Sequence, residues 1–283
     1  MENPVFLLGF GLFVLCLSGE GIVRGAVTVA HALRVSPLII GLTIIAFGTS
    51  APELTVSIQA AMRGAGDIAI GNVVGSNIAN ILLVLSVMAL VRSFVVDDIT
   101  IKRDGSVMLA STAALVGLAL YGEISRLAGG GLLLALLIYG VYLFRAPPSK
   151  QQHDTAPSDD IDDNLLRGGV AVGLLVLGAG LIGIVWSGNM LVSGAIELAR
   201  QFGLSETVIG LSVIAIGTSL PELGVAIFAA LRGHAGLAIG NIIGSNIANI
   251  LLILGVTASL TPLTIAPEIA ARDIWVMAIA AVL

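Results

Sequence analysis

The chain has 283 residues, 57% of them hydrophobic and 11% charged, with a mean hydropathy of +1.06. Too few charges remain to cover a water-facing exterior, which excludes an ordinary soluble domain and a nucleic-acid-binding surface. The net charge of −5 carries little information because five aspartates fall within residues 146–167, and a single cysteine, Cys16, leaves no intrachain disulfide.

The first residues, MENPVFLLGFGLFVLCLSGEG, begin acidic and lack a small-residue cleavage site. They read as a retained first helix, not a signal peptide. A spanning helix needs about 20 apolar residues. Spans are expected at 4–31, 38–62, 68–91, 105–121 and 127–144, then at 168–199, 207–231 and 237–260, with a ninth starting at 273. In the first, Glu20 and Arg24 stand one helical turn apart and predict a local ion pair. Asp97 and Asp98 fall in a loop and read as solvated. Residues 146–167, rich in Pro, Gln and acids, read as a flexible linker between a first membrane unit (1–145) and a second (168–283).

The two units repeat. Residues 41–86 align with 210–255 at a constant offset of 169, and 30 of the 46 positions are identical. The first copy holds GTSAPEL (48–54) and GNVVGSNIANILL (71–83), and the second holds GTSLPEL (217–223) and GNIIGSNIANILL (240–252). Five helices per unit is an odd number, so the second unit enters the membrane from the opposite side. The expected fold is all-α transmembrane, two inverted five-helix repeats, ten helices in all. Applying the offset to the fourth and fifth spans places the end of this chain within the ninth helix. Lys and Arg gather at the linker face (Arg34, Arg92, Lys102, Arg103, Arg145, Lys150, Arg167, Arg232), with fewer opposite (Arg63, Arg126, Arg200, Arg272). The positive-inside rule then puts the linker in the cytoplasm and the N-terminus outside, in a bacterial or archaeal cell membrane.

Each copy carries one glutamate, Glu53 or Glu222, where lipid surrounds the helix. An acid there is costly and marks a functional site. Pro52 cannot bond the Gly48 carbonyl, so the helix is expected to break beside Glu53. Thr49 and Ser50 share the face of Glu53, as Thr218 and Ser219 share that of Glu222. A carboxylate, hydroxyls and freed carbonyls make an all-oxygen site suited to hard cations, Ca²⁺ or Na⁺. The three histidines (His31, His153, His234) form no cluster for a softer metal. In the second motif Asn72, Ser76 and Asn80 line one helix face beside the small residues Gly71, Gly75 and Ala79. The small residues read as close helix packing. Ser76 and Asn80, with Ser245 and Asn249, read as further ligands.

These paired segments resemble the α-1 and α-2 repeats of the cation/calcium antiporter superfamily, most closely its prokaryotic sodium/calcium exchanger branch. The resemblance implies that Glu53 and Glu222 are shared central ligands, completed by Ser50, Ser76, Asn80, Thr218, Ser219 and Ser245 and by the carbonyls of Ala46, Thr49, Ala215 and Thr218. It implies alternating access, with the first and sixth helices (4–31 and 168–199) sliding together across a four-helix core. Several relatives carry aspartate where this chain has Asn249, a departure that argues against K⁺ co-transport. No cofactor, enzymatic activity or obligate protein partner is expected; the partners are Ca²⁺, Na⁺ or H⁺ and the lipid bilayer. The rival readings are a Ca²⁺/H⁺ antiporter, a cation channel, and an intramembrane protease built on the GAGD string ending at Asp67, for which no second intramembrane aspartate is found.

Overall fold

The structure, a computed structural model, describes residues 3–93, 101–145, 169–203 and 217–282. Helix α1 (Pro4–Leu33) opens on Asn3, whose side chain accepts the Val5 N–H, and closes at Arg34 in the left-handed region (φ 56°). The second span is broken. Helix α2 (Pro37–Ile40) passes through a π turn (Gly41–Ile45) into α3 (Ala46–Thr49), and α4 (Ala51–Met62) leaves at 44°. The break expected from Gly48 and Pro52 falls at Ser50, whose backbone (φ −81°, ψ 5°) departs from the helix just before the proline ring. Helix α5 (Gly66–Ala79), a π turn (Asn80–Leu85) and α6 (Ser86–Val91) form the third span. A π turn (Ile101–Gly105) with α7 (Ser106–Tyr121) forms the fourth, and α8 (Arg126–Arg145) the fifth.

In the second unit α9 (Gly169–Gln201) is followed by α10 (Leu220–Leu231) and then by α11 (Ala235–Ala248), a π turn (Asn249–Leu254) and α12 (Gly255–Leu260). A last π turn (Ile269–Asp273) leads into α13 (Ile274–Val282). Among the described residues six helices are long and apolar enough to cross a membrane, or seven with the bent second span counted as one. The linker 146–167, Asp97 and Asp98, and the start of the 207–231 span lie outside the described residues. The fourth and ninth spans begin about one turn earlier than expected, at Ile101 and Ile269. Their charges (Lys102, Arg103, Asp104, Arg272, Asp273) resemble a loop in sequence, yet each set sits in a π turn that extends the helix.

Helices α1 and α9 pack along their whole length in opposite directions: Gly11 meets Leu191, Gly180 meets Ile22, and Gly173 meets Val29. The third and eighth spans are also opposed. Gly66, at the start of one, lies against Leu263 beyond the end of the other, while Arg92 and Gly233 meet at the far face. A two-residue ladder, β1 (Glu123–Ile124) with β2 (Leu263–Thr264), ties the turns after the fourth and eighth spans together at the Gly66 face.

The eighth span is the centre of the molecule. Buried residues fill 89% of its membrane window, against at most 44% in the other five long apolar helices among the described residues. The second span runs parallel to it at backbone contact. A Cβ at Gly41 would stand 2.5 Å from the Leu237 carbonyl oxygen, and one at Gly240 would overlap the Leu38 carbonyl. Small residues permit this approach, and dispersion between the two backbones replaces the side-chain packing of a soluble core. Outward-facing Phe6, Leu17, Leu90, Leu137, Ile182 and Trp186 are more than half exposed, an apolar exterior that lipid covers. Gly240→Val should overpack this contact and cost about 1–3 kcal/mol. It is read as a lower thermal midpoint of the detergent-solubilised protein; an unchanged midpoint would mean that the two helices separate freely.

Candidate ion-binding site

Both glutamates occupy the third position of a helix whose first turn follows a non-helical serine: Glu53 in α4 after Ser50, and Glu222 in α10 after Ser219 (φ −89°, ψ 5°). Each has Pro one residue before it, which costs no hydrogen bond at a helix start. A carboxylate in the first turn gains from the partial positive charge of the helix N-terminus. Two helix starts therefore present two acids in the same local geometry, as the repeat predicts.

Glu53 is 1% exposed and Glu222 2%, and neither has an ion pair with a basic side chain among the described residues. The two halves touch here. The Ser50 hydroxyl donates to Glu222 Oε1 over a long 3.4 Å. Both carboxylate oxygens of Glu53 and Oε2 of Glu222 are buried without a hydrogen-bond partner. So are Ser219 Oγ, Ser245 Oγ, Asn249 Oδ1 and both side-chain polar atoms of Asn80. These account for eight of the ten such atoms in the described residues; Asn241 Nδ2 and Thr257 Oγ1 are the others. An orphaned buried polar atom costs about 1–3 kcal/mol. Seven orphaned oxygens among residues contributed by both units are the donor set that a hard cation satisfies. No group of three His, Cys, Asp or Glu occurs among the described residues, so the charge of this set comes from two acids and the rest is neutral oxygen.

The other expected residues have varied surroundings. Thr49, Ser76 and Ala46 are buried, and Thr218 is half-buried in the turn before α10. The Ala46 carbonyl accepts the Ser50 N–H (3.0 Å) and the Thr49 hydroxyl (3.4 Å). Thr49 also reaches Asn241 Oδ1 in the other unit at 3.3 Å. Ala215 lies outside the described residues. Asn72 is committed elsewhere: its Nδ2 donates to the Glu53 carbonyl (3.2 Å) and to Ser57 Oγ (3.0 Å), locking α5 to α4 behind the carboxylate. Its repeat equivalent Asn241 faces Ala226 where the first copy has Ser57, and its Nδ2 is left without a partner.

Sequence reasoning passed over three features. The π turns at Asn80–Leu85 and Asn249–Leu254 start on the two repeated asparagines, as helix bulges at functional sites often do, and no periodicity announces them. Asn77 and Asn246 join the two units; only their recurrence in both copies hinted at a role. Asp104 is an intramembrane aspartate at 0% exposure, contrary to the expectation of none beyond Asp67. It cannot form a protease dyad, because Asp67 begins its helix at the Gly66 face and Asp104 begins the fourth span at the opposite one. Asp104 takes two bonds from Arg103 at 2.8 Å and one from Tyr139 at 3.0 Å, so this acid is fully paired. The expected Glu20–Arg24 pair forms at 2.6 Å and is larger than expected, for Arg232 also binds Glu20 at 2.7 Å and links α1 to the end of α10.

The chain is similar over most of its length to known membrane exchangers. Residues 3–145 and 172–283 match the family model described as sodium/calcium exchanger protein. A putative antiporter, CaxA, of Alkalimonas amylolytica is 41% identical over 96% of this chain and 85% of its own length. The sodium/calcium exchanger MaX1 of Methanosarcina acetivorans is 36% identical over 92% of this chain and 84% of its own. Among solved structures, the sodium-calcium exchanger NCX_Mj soaked with 2.5 mM Na⁺ and 0.1 mM Ca²⁺ superposes with a TM-score of 0.81 at 33% identity, covering 99% of this chain and 88% of that one.

The paired and unpaired acids should answer substitution in opposite directions. In buffer free of Na⁺ and Ca²⁺, Glu53→Gln removes an uncompensated buried charge and should raise the thermal midpoint. Asp104→Asn strands Arg103 and should lower stability by about 3 kcal/mol. Differential scanning fluorimetry of both variants checks the signs; a fall for Glu53→Gln would mean that its carboxylate is satisfied within the protein.

Proposed function

The chain belongs to the sodium/calcium exchanger protein family, whose fold is that of a cation/Ca²⁺ antiporter, and on that premise we propose that it exchanges Na⁺ for Ca²⁺ by alternating access, with Glu53 and Glu222 as shared ligands. The observation that carries the proposal is the meeting of two buried acids from opposite repeats, among oxygens that lack a hydrogen-bond partner among the described residues. Ser50, Ser76, Asn80, Thr218, Ser219, Ser245 and Asn249, with Thr49 and the carbonyls of Ala46, Ala215 and Thr218, complete the set.

Two carboxylates balance one Ca²⁺ or two Na⁺. Ions of either kind compete for the same oxygens, and either neutralises the site. The empty site keeps two charges in a low-dielectric interior, where their mutual repulsion and lost hydration disfavour the passage between outward- and inward-open states. Ligand-dependent stabilisation of that passage gives exchange in place of leak. With inward Na⁺ drive, the result is Ca²⁺ extrusion.

The moving part is the α1–α9 pair. Its members are repeat equivalents in tight antiparallel contact, and the third and eighth spans are likewise opposed; both support two inverted repeats bounded at 1–145 and 168–283, joined by the linker 146–167. The linker faces the cytoplasm and the N-terminus the outside. This follows from the concentration of Lys and Arg at the face where Arg92 and Gly233 meet. Asn at both 80 and 249 leaves no third acid to support a K⁺ site.

Proteoliposomes loaded with Na⁺ and diluted into Na⁺-free buffer should take up ⁴⁵Ca²⁺, and Glu53→Gln should abolish that uptake. A matched set carrying only a pH gradient should take up none. Uptake driven by the pH gradient alone would make the protein a Ca²⁺/H⁺ antiporter, and uptake without any counter-ion would make it a channel.

A further inference from the structure

Resting on the ion-site reading above, we propose that Asn77 is a positioning residue that decides which end of the Asn249 amide faces the transported ions. An asparagine offers a cation one useful atom: Oδ1 coordinates, whereas Nδ2 presents two N–H groups and repels. Asn249 must therefore be held one way round, a constraint that an aspartate with two equivalent oxygens escapes.

The hydrogen bonds supply that constraint. Asn77 and Asn249 are 2% and 1% exposed, so water does not set their orientation. Asn77 Nδ2 donates to the backbone carbonyl of Asn246 at 3.3 Å, and Asn249 Nδ2 donates to Asn77 Oδ1 at 2.9 Å. A peptide carbonyl only accepts. Asn77 must turn its nitrogen toward it, which aims its oxygen at Asn249 and claims the Asn249 nitrogen in turn. Asn249 Oδ1 is then left without a protein partner, available to an ion. Polarity thus passes from an immovable peptide group through two amides to the site, across the boundary between the two repeats.

The relay runs in one direction only. Its symmetric counterpart would join Asn80 to Asn246, but the Asn246 amide bonds the Ile242 carbonyl at 2.8 Å, and both polar atoms of Asn80 lack partners. Of two equivalent asparagines in near-identical sequence, one is oriented by protein and the other is free to follow its ligand.

The test is a double-mutant cycle on the full chain, read as the Ca²⁺ concentration that half-saturates both the thermal stabilisation in detergent and the Na⁺-driven uptake. Asn77→Leu keeps the volume and removes the acceptor, and should weaken Ca²⁺ about tenfold. In an Asn249→Asp background an oxygen meets the ion whichever way round the carboxylate sits, and the other oxygen faces Asn77 Oδ1, acceptor against acceptor, so adding Asn77→Leu should not weaken Ca²⁺ relative to Asn249→Asp alone. Equal losses in the two backgrounds would mean that Asn77 only packs, and no loss in either would remove its role; both overturn the relay. Asn77→Ala repeats the cycle with a smaller side chain should the leucine not fold. Asn249→Ala separates the two levels of inference. If it leaves Ca²⁺ affinity unchanged, the ion-site reading fails and the relay with it; if it weakens Ca²⁺ while Asn77→Leu does not, only the relay fails.

Discussion

Two carboxylates buried side by side without a basic partner are the constraint on which the rest of this molecule depends. Lipid offers no hydration to an acid, and among the described residues no guanidinium or ammonium group pairs with Glu53 or Glu222. Such a pair is stable only if something positive visits it. The surrounding architecture holds the acids in place while withholding the hydrogen bonds that would satisfy them internally. Asn72 grips the Glu53 carbonyl and Ser57 but leaves the carboxylate alone, and the Ser50 hydroxyl reaches across to Glu222 only at a long 3.4 Å.

Asp104 shows the alternative within the same membrane. There a bidentate guanidinium and a tyrosine hydroxyl saturate the acid, and its burial contributes structure to the start of the fourth span. The contrast between a saturated acid and two starved ones separates fold from function more sharply than burial does, because all three are almost fully enclosed.

Near-identical sequences in the two units do not produce identical environments. Gly240 and Gly244 sit against the backbone of the second span in the most enclosed helix of the protein. Asn241 loses a hydroxyl partner because Ala226 replaces Ser57, and Asn249 is oriented whereas Asn80 is not. A pseudo-symmetric transporter occupies one conformation at a time, and in any one conformation the two halves are doing different things. Departures from symmetry at single hydrogen bonds are the local form of that difference.

Much of this was legible in the sequence. The 169-residue repeat, the all-helical membrane-spanning character, the break before Glu53 and the oxygen-rich surroundings of both glutamates follow from local rules: proline removes a donor, hydrophobic length matches a bilayer, and an acid in lipid needs a reason. The tertiary structure decided what depends on partners distant in the chain. Periodicity could not reveal that Lys102, Arg103 and Asp104 extend a helix, since their charges look like a loop until Tyr139 of another span is placed beside them. Nor could it locate the π turns on Asn80 and Asn249, or rank the eighth span as the most buried, because hydropathy is alike for helices that face lipid and helices that face protein. The sequence by itself determined which groups must be satisfied; only packing decided which of them find a partner within the protein and which stay buried without one.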